Sequence, residues 1–197
     1  MNSRAHAVFC FHSQVKEMAA ALERSGHRFL WVVRSRPAGD MMQLTDADLG
    51  EVLPNGFLDA TKERGLVWPS WAPQADILSH RAVGGFVTHC GWNSCLESLW
   101  FGVPMLVWPL YAEQHLNALE TVRDLGVAVG LEVDRKNGNF VKGEELERGV
   151  RSLMGESEEG KRVRAKVEEM KVASRKTIEE GGSSFNYLKK LAQELDG

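Results

Sequence analysis

The sequence predicts an α/β protein with a Rossmann-like, doubly wound parallel sheet. Short apolar runs typical of strands alternate at least five times with segments whose apolar residues recur every three or four positions. This alternation indicates parallel strands joined by crossover helices. In such sheets ligands bind at the carboxyl ends of the strands, so the residues that follow each strand are the first candidates for a site.

Two predicted strands and a helix open the chain. Ala7–Phe11 is an apolar run typical of a buried strand, and Arg28–Val33 is a second one. Between them, apolar residues recur at helical spacing from Val15 to Leu22, and Gly26 ends that predicted helix.

The middle of the chain combines one long loop with a regular succession of short elements. Prolines and glycines recur from residue 35 to residue 56, which predicts a loop. After it, short strands bounded by glycine, proline or polar residues alternate with helices. The predicted strands are Leu66–Trp68, Gly85–Thr88, Met105–Trp108 and Val127–Val133, and the predicted helices are Phe57–Arg64, Ala75–Ser79, Asn93–Phe101 and Glu113–Leu125.

Three charged, amphipathic helices are predicted at the carboxyl end. We expect the first two to pack on the sheet through their apolar faces. Gly181 and Gly182 separate the last helix, so we divide the chain into a domain of residues 1–181 and a helix of residues 182–197. The apolar residues that mark the three helices are Leu146, Val150, Leu153 and Met154; Val163, Val167, Met170 and Ile178; and Leu188, Leu191 and Leu195.

Composition excludes several classes of protein. The net charge of −3 argues against nucleic acid or an anionic membrane as a partner, and no apolar run reaches the roughly 18 residues that a membrane span needs. The three cysteines, Cys10, Cys90 and Cys95, are odd in number and irregularly spaced, which argues against a disulfide framework or a zinc cluster. We therefore expect a cytoplasmic protein.

The stretch VTHCGWNSCLES, residues 87–98, is the strongest candidate for a site. It runs from a predicted strand directly into a predicted helix, whose free amino-terminal N–H groups and dipole favour an anion such as phosphate. Gly91 allows a close backbone approach, His89 can donate to a diphosphate, and Asn93 or Ser94 can cap the helix or donate to a phosphate oxygen. A capped helix beside a core histidine is the alternative that chemistry alone leaves open.

The 44 residues from Trp71 to Gln114, WAPQADILSHRAVGGFVTHCGWNSCLESLWFGVPMLVWPLYAEQ, resemble the signature box of plant secondary-product UDP-glycosyltransferases. The match has no gap, and flanking segments such as LERSGHRFLWVVR and LPNGFLDATKERG are similar to the same family. The nearest group is the flavonoid and small-phenol glucosyltransferases. The resemblance implies the carboxy-terminal, donor-binding domain of a GT-B glycosyltransferase, with the helix of residues 182–197 packed on an acceptor domain.

The resemblance also implies a role for each residue of the box. Trp71 would stack on uracil, with a core aromatic as the alternative, and Gln74 and Glu97 would contact the nucleotide, Glu97 at the ribose hydroxyls. Glu113 and Gln114 have a second reading as an ordinary first turn of a helix. The implied nucleotide-binding residues are Trp71, Gln74 and Glu97, the diphosphate-binding residues are His89, Gly91, Asn93 and Ser94, and the sugar-binding residues are Trp92, Glu113 and Gln114.

The sequence departs from the family in two places. The family's catalytic histidine lies in an amino-terminal half that these residues do not match, so we expect no catalytic residue here. A glycine- and serine-containing loop of the family is reduced to His12-Ser13, which we expect to weaken donor binding. We expect no cofactor and no metal. Asp46-Ala47-Asp48 imitates the metal-binding pair of another glycosyltransferase fold, but it lies in a polar loop.

Three functions remain after this reasoning. The first is the donor-binding half of an enzyme that transfers glucose from UDP-glucose, with inversion, to a hydroxyl of a small lipophilic acceptor such as a flavonoid or phenol. The second is a shortened, non-catalytic UDP-sugar-binding module, and the third is other sugar-nucleotide chemistry, such as epimerisation, on the same fold. We expect the chain alone to bind UDP or UDP-glucose without transferring the sugar. Trp92 and Gln114 match the glucose users of the family, so we expect glucose rather than galactose.

Overall fold

The computed structural model describes residues 12–35 and 45–195. The predicted strand Ala7–Phe11 lies outside these residues. The first described element is helix α1 (His12–Ser25), which buries Val15, Met18 and Leu22 along one face, as their spacing predicts. Gly26 ends the helix with a φ of +73°, a conformation that glycine adopts without steric cost.

Seven strands and nine α-helices, including short ones, follow one another in the described residues. The strands are β1 (Phe29–Val32), β2 (Arg34–Ser35), β3 (Thr45–Asp46), β4 (Gly65–Trp68), β5 (Phe86–Thr88), β6 (Met105–Val107) and β7 (Ala128–Gly130). The helices after α1 are α2 (Leu49–Val52), α3 (Phe57–Thr61), α4 (Gln74–Ser79), α5 (Trp92–Phe101), α6 (Gln114–Leu119), α7 (Gly143–Met154), α8 (Glu158–Lys176) and α9 (Ser183–Leu195).

The longer strand ladders are parallel, as predicted. β1 pairs with β4, and β6 lies between β5 and β7, with Phe86 opposite Met105 and Met105 opposite Ala128. Parallel pairing brings the carboxyl ends of β5, β6 and β7 to one edge. The turns that leave these strands therefore lie side by side at that edge.

The prediction of a loop from residue 35 to residue 56 is wrong in two places. β2 and β3 form a small antiparallel ladder, in which Arg34 Nε donates to the carbonyl of Thr45 at 3.0 Å. α2 begins at Leu49 because Asp48 Oδ1 accepts the amide of Gly50 at 2.9 Å. Both elements are too short to produce a periodic apolar pattern, so the sequence did not reveal them.

The helix predicted for Glu113–Leu125 changes its geometry part-way. α6 ends at Leu119, and a π-helical turn occupies Glu120–Asp124. The buried Thr121 hydroxyl donates to the carbonyl of Asn117 at 2.9 Å. Single π-helical turns within helices occur frequently at functional sites.

The core lies between β6 and the helices that cover the sheet. All three residues of β6 are buried, and α7 buries Leu146, Val150 and Leu153 along one face. Gly149 allows this close packing, because a Cβ there would lie 2.6 Å from Leu106 Cδ1. Each buried leucine of this layer contributes about 1.5–3 kcal/mol relative to an exposed one.

α1 is tied to the segment around α7 by buried and exposed polar contacts. Gln14 and the backbone of Val141 exchange two hydrogen bonds, of 2.8 and 2.9 Å. At the surface, Glu147 accepts from Arg24 at 2.7 Å and from Arg151 at 2.9 Å. The Arg24 bond holds the pKa of Glu147 below its ordinary value, and the Arg151 bond acts in the same direction.

α9 has no buried residue. The helix predicted around Leu188, Leu191 and Leu195 is confirmed, and these three leucines are exposed in the described structure. Its role as a segment that packs on an acceptor domain stays a prediction.

Candidate functional site

The turn between β5 and α5 contains the histidine and glycine that the sequence predicted for an anion site. Its backbone reverses at Cys90, whose φ of +66° lies in the left-handed region that non-glycine residues rarely adopt. The amide of Cys90 donates to Thr88 Oγ1 at 3.2 Å, and Asn117 Nδ2 donates to the carbonyl of Cys90 at 2.9 Å. The side chains of Thr88 on β5 and Asn117 on α6 therefore bind the backbone N–H and C=O groups of Cys90.

His89 and Gly91 occupy complementary space in this turn. The imidazole is 6% exposed, and a Cβ on Gly91 would lie 2.6 Å from His89 Nε2. Real Cβ atoms do not approach a ring so closely, so a larger residue at position 91 would displace the histidine. Gly91 itself has an ordinary φ of −58°, which means that space, and not backbone conformation, requires a glycine here.

The amino terminus of α5 begins directly at this turn. Gly91 occupies the position before the first helical residue, and no side chain of the described residues caps the helix. The expected cap by Asn93 or Ser94 is therefore not formed: Asn93 is exposed, and Ser94 is buried with another partner. The first turn has no acidic residue, so its N–H groups and the helix dipole are available to an anion.

Three predicted site residues form one hydrogen-bonded group. Gln74, the first residue of α4, uses Nε2 to donate to Ser94 Oγ at 3.1 Å and to Glu97 Oε2 at 2.8 Å. Ser94 and Glu97 are one turn apart on α5. This amide therefore joins a residue predicted for the diphosphate to a residue predicted for the ribose.

Trp71 lies in the segment between β4 and α4 with 54% of its surface exposed. This exposure excludes the alternative reading of Trp71 as a core aromatic. Trp68 Nε1 donates to the carbonyl of Trp71 at 3.2 Å and supports the backbone there. An exposed indole suits stacking on a flat heterocycle.

The residues predicted for the sugar differ in burial. Trp92 and Glu113 are exposed, whereas Gln114 is only 2% exposed. Gln114 Oε1 accepts the amides of Leu110 and Tyr111 at 3.0 and 3.2 Å, which orders the turn after β6. Gln114 thus has a structural role at the start of α6.

Burial shifts the pKa values of two cysteines and one histidine in and near the turn. Burial raises the pKa of the Cys90 thiol far above its usual range and raises the pKa of Cys95 to about 11. Burial also lowers the pKa of His115, with a smaller contribution from the charge of Arg135. Both thiols therefore act as packing residues, as predicted, and are not nucleophiles at neutral pH.

Comparison with known proteins identifies the family. The family model described as "UDP-glucoronosyl and UDP-glucosyl transferase" matches residues 9–156. The chain belongs to this family of UDP-glycosyltransferases. A curated relative, malvidin galactosylase UGT88C3 from Oryza sativa subsp. indica, is 60% identical over 187 residues, which cover 92% of this chain and 39% of the relative.

Two solved plant structures of the GT-B type confirm the α/β fold of this chain. A UGT transferase from Siraitia grosvenorii in complex with UDP has a TM-score of 0.88 and 48% identity, covering 97% of this chain and 41% of that one. Phytolacca americana UGT2, complexed with UDP-2fluoro-glucose and pterostilbene, has a TM-score of 0.83 and 44% identity, covering 94% of this chain and 39% of that one. The chain thus spans about two fifths of the length of its relatives.

The predicted site residues lie on three segments of the chain, those that follow β4, β5 and β6. Gln74, Ser94 and Glu97 are in direct hydrogen-bonded contact, and His89 and Gly91 are in contact with each other. Trp71, Trp92, Asn93 and Glu113 are exposed, and no hydrogen bond of their side chains within the described ranges joins them to that group. Sequence reasoning missed Thr88 and Asn117, which hold the turn.

Asp46 and Asp48, which imitate a metal-binding pair in the sequence, have local hydrogen-bond partners in the fold. Asp46 Oδ2 accepts from Ser70 Oγ at 2.7 Å, and Asp48 caps α2. Within residues 12–35 and 45–195, no group of three or more His, Cys, Asp or Glu side chains is placed to hold a metal ion.

No helix in these described ranges is long and apolar enough to cross a membrane. His12 begins α1, and its side chain lies outside the described part.

Proposed function

We propose that this chain is the donor-binding half of a cytoplasmic enzyme that transfers a hexose from a UDP-sugar to a hydroxyl of a small lipophilic acceptor, such as a flavonoid or phenol. The observation that carries this proposal is the Gln74–Ser94–Glu97 group beside the uncapped amino terminus of α5. A carboxylate that accepts ribose hydroxyls and a helix terminus that accepts phosphate fit one ligand, a nucleoside diphosphate.

The order of the residues along the edge suggests how UDP would lie. Uracil would stack on the exposed face of Trp71, and the ribose would meet Gln74 and Glu97. The diphosphate would lie against His89, Gly91, Asn93 and Ser94 at the start of α5. The hexose would then extend toward Trp92, Glu113 and Gln114.

The proposed reaction is a single displacement. The acceptor hydroxyl oxygen forms a bond to the anomeric carbon while the bond from that carbon to the β-phosphate oxygen breaks, so the configuration inverts. UDP leaves with the bonding electrons, and the N–H groups of α5 stabilise its added negative charge. The proton of the acceptor goes to a base, which we place in an acceptor-binding half. General-base assistance of this kind contributes about 10²–10⁴-fold.

The donor sugar has two candidates. We propose glucose, from the resemblance at Trp92 and Gln114. The rice relative, 60% identical, is named a malvidin galactosylase, which favours galactose as the second candidate. A titration with UDP-glucose and UDP-galactose separates them, because a site whose polar groups match one C4 hydroxyl leaves them unpaired with the other. Tighter binding of UDP-galactose would replace glucose by galactose in this proposal.

Titration of the chain with UDP by calorimetry tests the donor site. We expect Trp71→Ala and Glu97→Ala each to weaken binding, and the loss of the stacked base to cost about 1–3 kcal/mol. Tyr187→Ala and Glu63→Ala are matched controls, since they alter an exposed aromatic and an exposed carboxylate on segments that carry none of the predicted site residues. Unchanged affinity in both site variants would refute the assignment.

An assay of sugar transfer distinguishes a donor half from a non-catalytic UDP-sugar module. We expect the chain alone to bind UDP without glycosylating a phenol above background, because the proposed reaction takes its base and its acceptor site from the acceptor-binding half. Fusion to the amino-terminal half of a family member should restore transfer. A folded fusion that binds UDP-sugar and acceptor but transfers nothing would favour the non-catalytic module.

A further inference from the structure

The turn that would hold the diphosphate depends on one side chain outside it. Asn117 lies on α6, one turn after Gln114, and its Nδ2 donates to the carbonyl of Cys90 at 2.9 Å. Cys90 is fully buried and has a positive φ, and its carbonyl follows the end of the β5 ladder. A buried carbonyl that loses its hydrogen-bond partner is destabilised, and a turn with a positive φ at a non-glycine residue can relieve that loss by changing its conformation.

α6 supports two strand-end turns at once. Gln114 Oε1 accepts from the turn after β6, and Asn117 Nδ2 donates to the turn after β5. The π-helical turn then follows, where the Thr121 hydroxyl donates to the carbonyl of Asn117 and fixes the backbone of that residue. The two side-chain amides thus contact both the turn proposed for the sugar and the turn proposed for the diphosphate.

We propose that Asn117 is a positioning residue for diphosphate binding. By holding the Cys90 carbonyl, it keeps the turn in the conformation that aims the amino terminus of α5 at the phosphates and places His89 against Gly91. In this proposal Asn117 acts through Cys90 and needs no contact of its own with the ligand. This inference rests on the proposed function, since it concerns the same donor site.

The test compares UDP with uridine, because only UDP needs the turn. In Asn117→Ala, we expect UDP affinity to fall about tenfold and uridine affinity to change less than about twofold. Asn117→Asp keeps the side-chain volume but replaces the donor by an acceptor, and we expect it to lower UDP affinity at least as much. Asn186→Ala is the matched control: it removes an asparagine-to-carbonyl hydrogen bond of 3.0 Å on α9, far along the chain from the turn.

Several outcomes would contradict the inference. Unchanged UDP affinity in Asn117→Ala, or equal weakening of UDP and uridine, would show that Asn117 does not position the turn. If both variants fail to fold, NMR of the unaltered chain decides: UDP, and not uridine, should shift the side-chain amide of Asn117 together with the backbone amides of Gly91 and Trp92. A shift at Gly91 without one at Asn117 would overturn the inference. Absence of UDP binding by the unaltered chain would instead contradict the proposed function itself.

Discussion

Gly91 shows how a single residue fixes the geometry of the turn after β5. Its missing side chain leaves room for the His89 imidazole, whose Nε2 would otherwise lie 2.6 Å from a Cβ. The glycine is thus required by its neighbour and not by its own backbone angles. A sequence motif shows that the glycine is present, but only the folded turn shows which atom occupies its space.

Gly91→Ala should therefore weaken the diphosphate site. The added methyl group forces the imidazole away from the amino terminus of α5, and loss of one charge-assisted hydrogen bond lowers UDP affinity about tenfold or more. Calorimetry with UDP measures this loss. Gly130→Ala is the control, because a Cβ there meets Val122 only at 3.7 Å, an ordinary contact. Wild-type UDP affinity in Gly91→Ala would contradict this account of the turn.

At the scale of elements, the contact between α1 and α7 depends partly on charge. Glu147 accepts from Arg24 and Arg151, and these bonds lower the pKa of its carboxyl group. A carboxyl group whose pKa is lower in the folded state stabilises the fold above its unfolded pKa, about 4.3. This contribution is lost as the pH falls through the lowered folded pKa.

Glu147→Gln should lower the melting temperature at pH 7, and the difference from the unaltered chain should shrink below about pH 4 and then vanish. High salt should also reduce this difference in melting temperature, because the ion pairs of Glu147 lie at the surface. Thermal unfolding followed by circular dichroism measures both effects. Glu169→Gln is the control, since Glu169 pairs with Lys166 inside α8 alone. A difference in melting temperature that stays unchanged as the pH is lowered through the whole acid range would point to lost packing instead of lost charge.

The elements also show where sequence reasoning succeeds. The parallel strands and their crossover helices were predicted because each contributes buried residues at a regular period. The sequence does not predict the β2–β3 ladder or the π-helical turn. The hydrogen bonds of Arg34 and Thr121 that accompany them produce no periodic pattern of apolar residues. The turn after β5 was predicted from its position and resemblance. The hydrogen bond by which Asn117 supports this turn could not be predicted, because 27 residues separate Asn117 from Cys90.

At the scale of the whole molecule, α9 contributes little to the stability of these residues. It buries no side chain, and Leu188, Leu191 and Leu195 are exposed. Deleting residues 183–197 should therefore change the free energy of unfolding by less than about 1 kcal/mol. By comparison, Leu153→Ala in the core should cost about 2–5 kcal/mol.

Denaturant unfolding of the two variants provides this comparison, and amide exchange provides a second measure. Amides of α9 should exchange much faster than those of α7, because local opening exposes no core. A destabilisation of more than about 2 kcal/mol on deleting α9 would show that the helix packs on this domain in solution.

Two buried cysteines, Cys90 in the turn and Cys95 on α5, allow local opening of this region to be measured. Their thiols are inaccessible and have raised pKa values, so an alkylating reagent reaches them only when the turn or α5 opens. With Cys10 replaced by serine, the rate of alkylation at Cys90 and Cys95 measures how often that opening occurs. A ligand that binds at the turn should lower this rate, and a ligand that binds elsewhere should leave it unchanged.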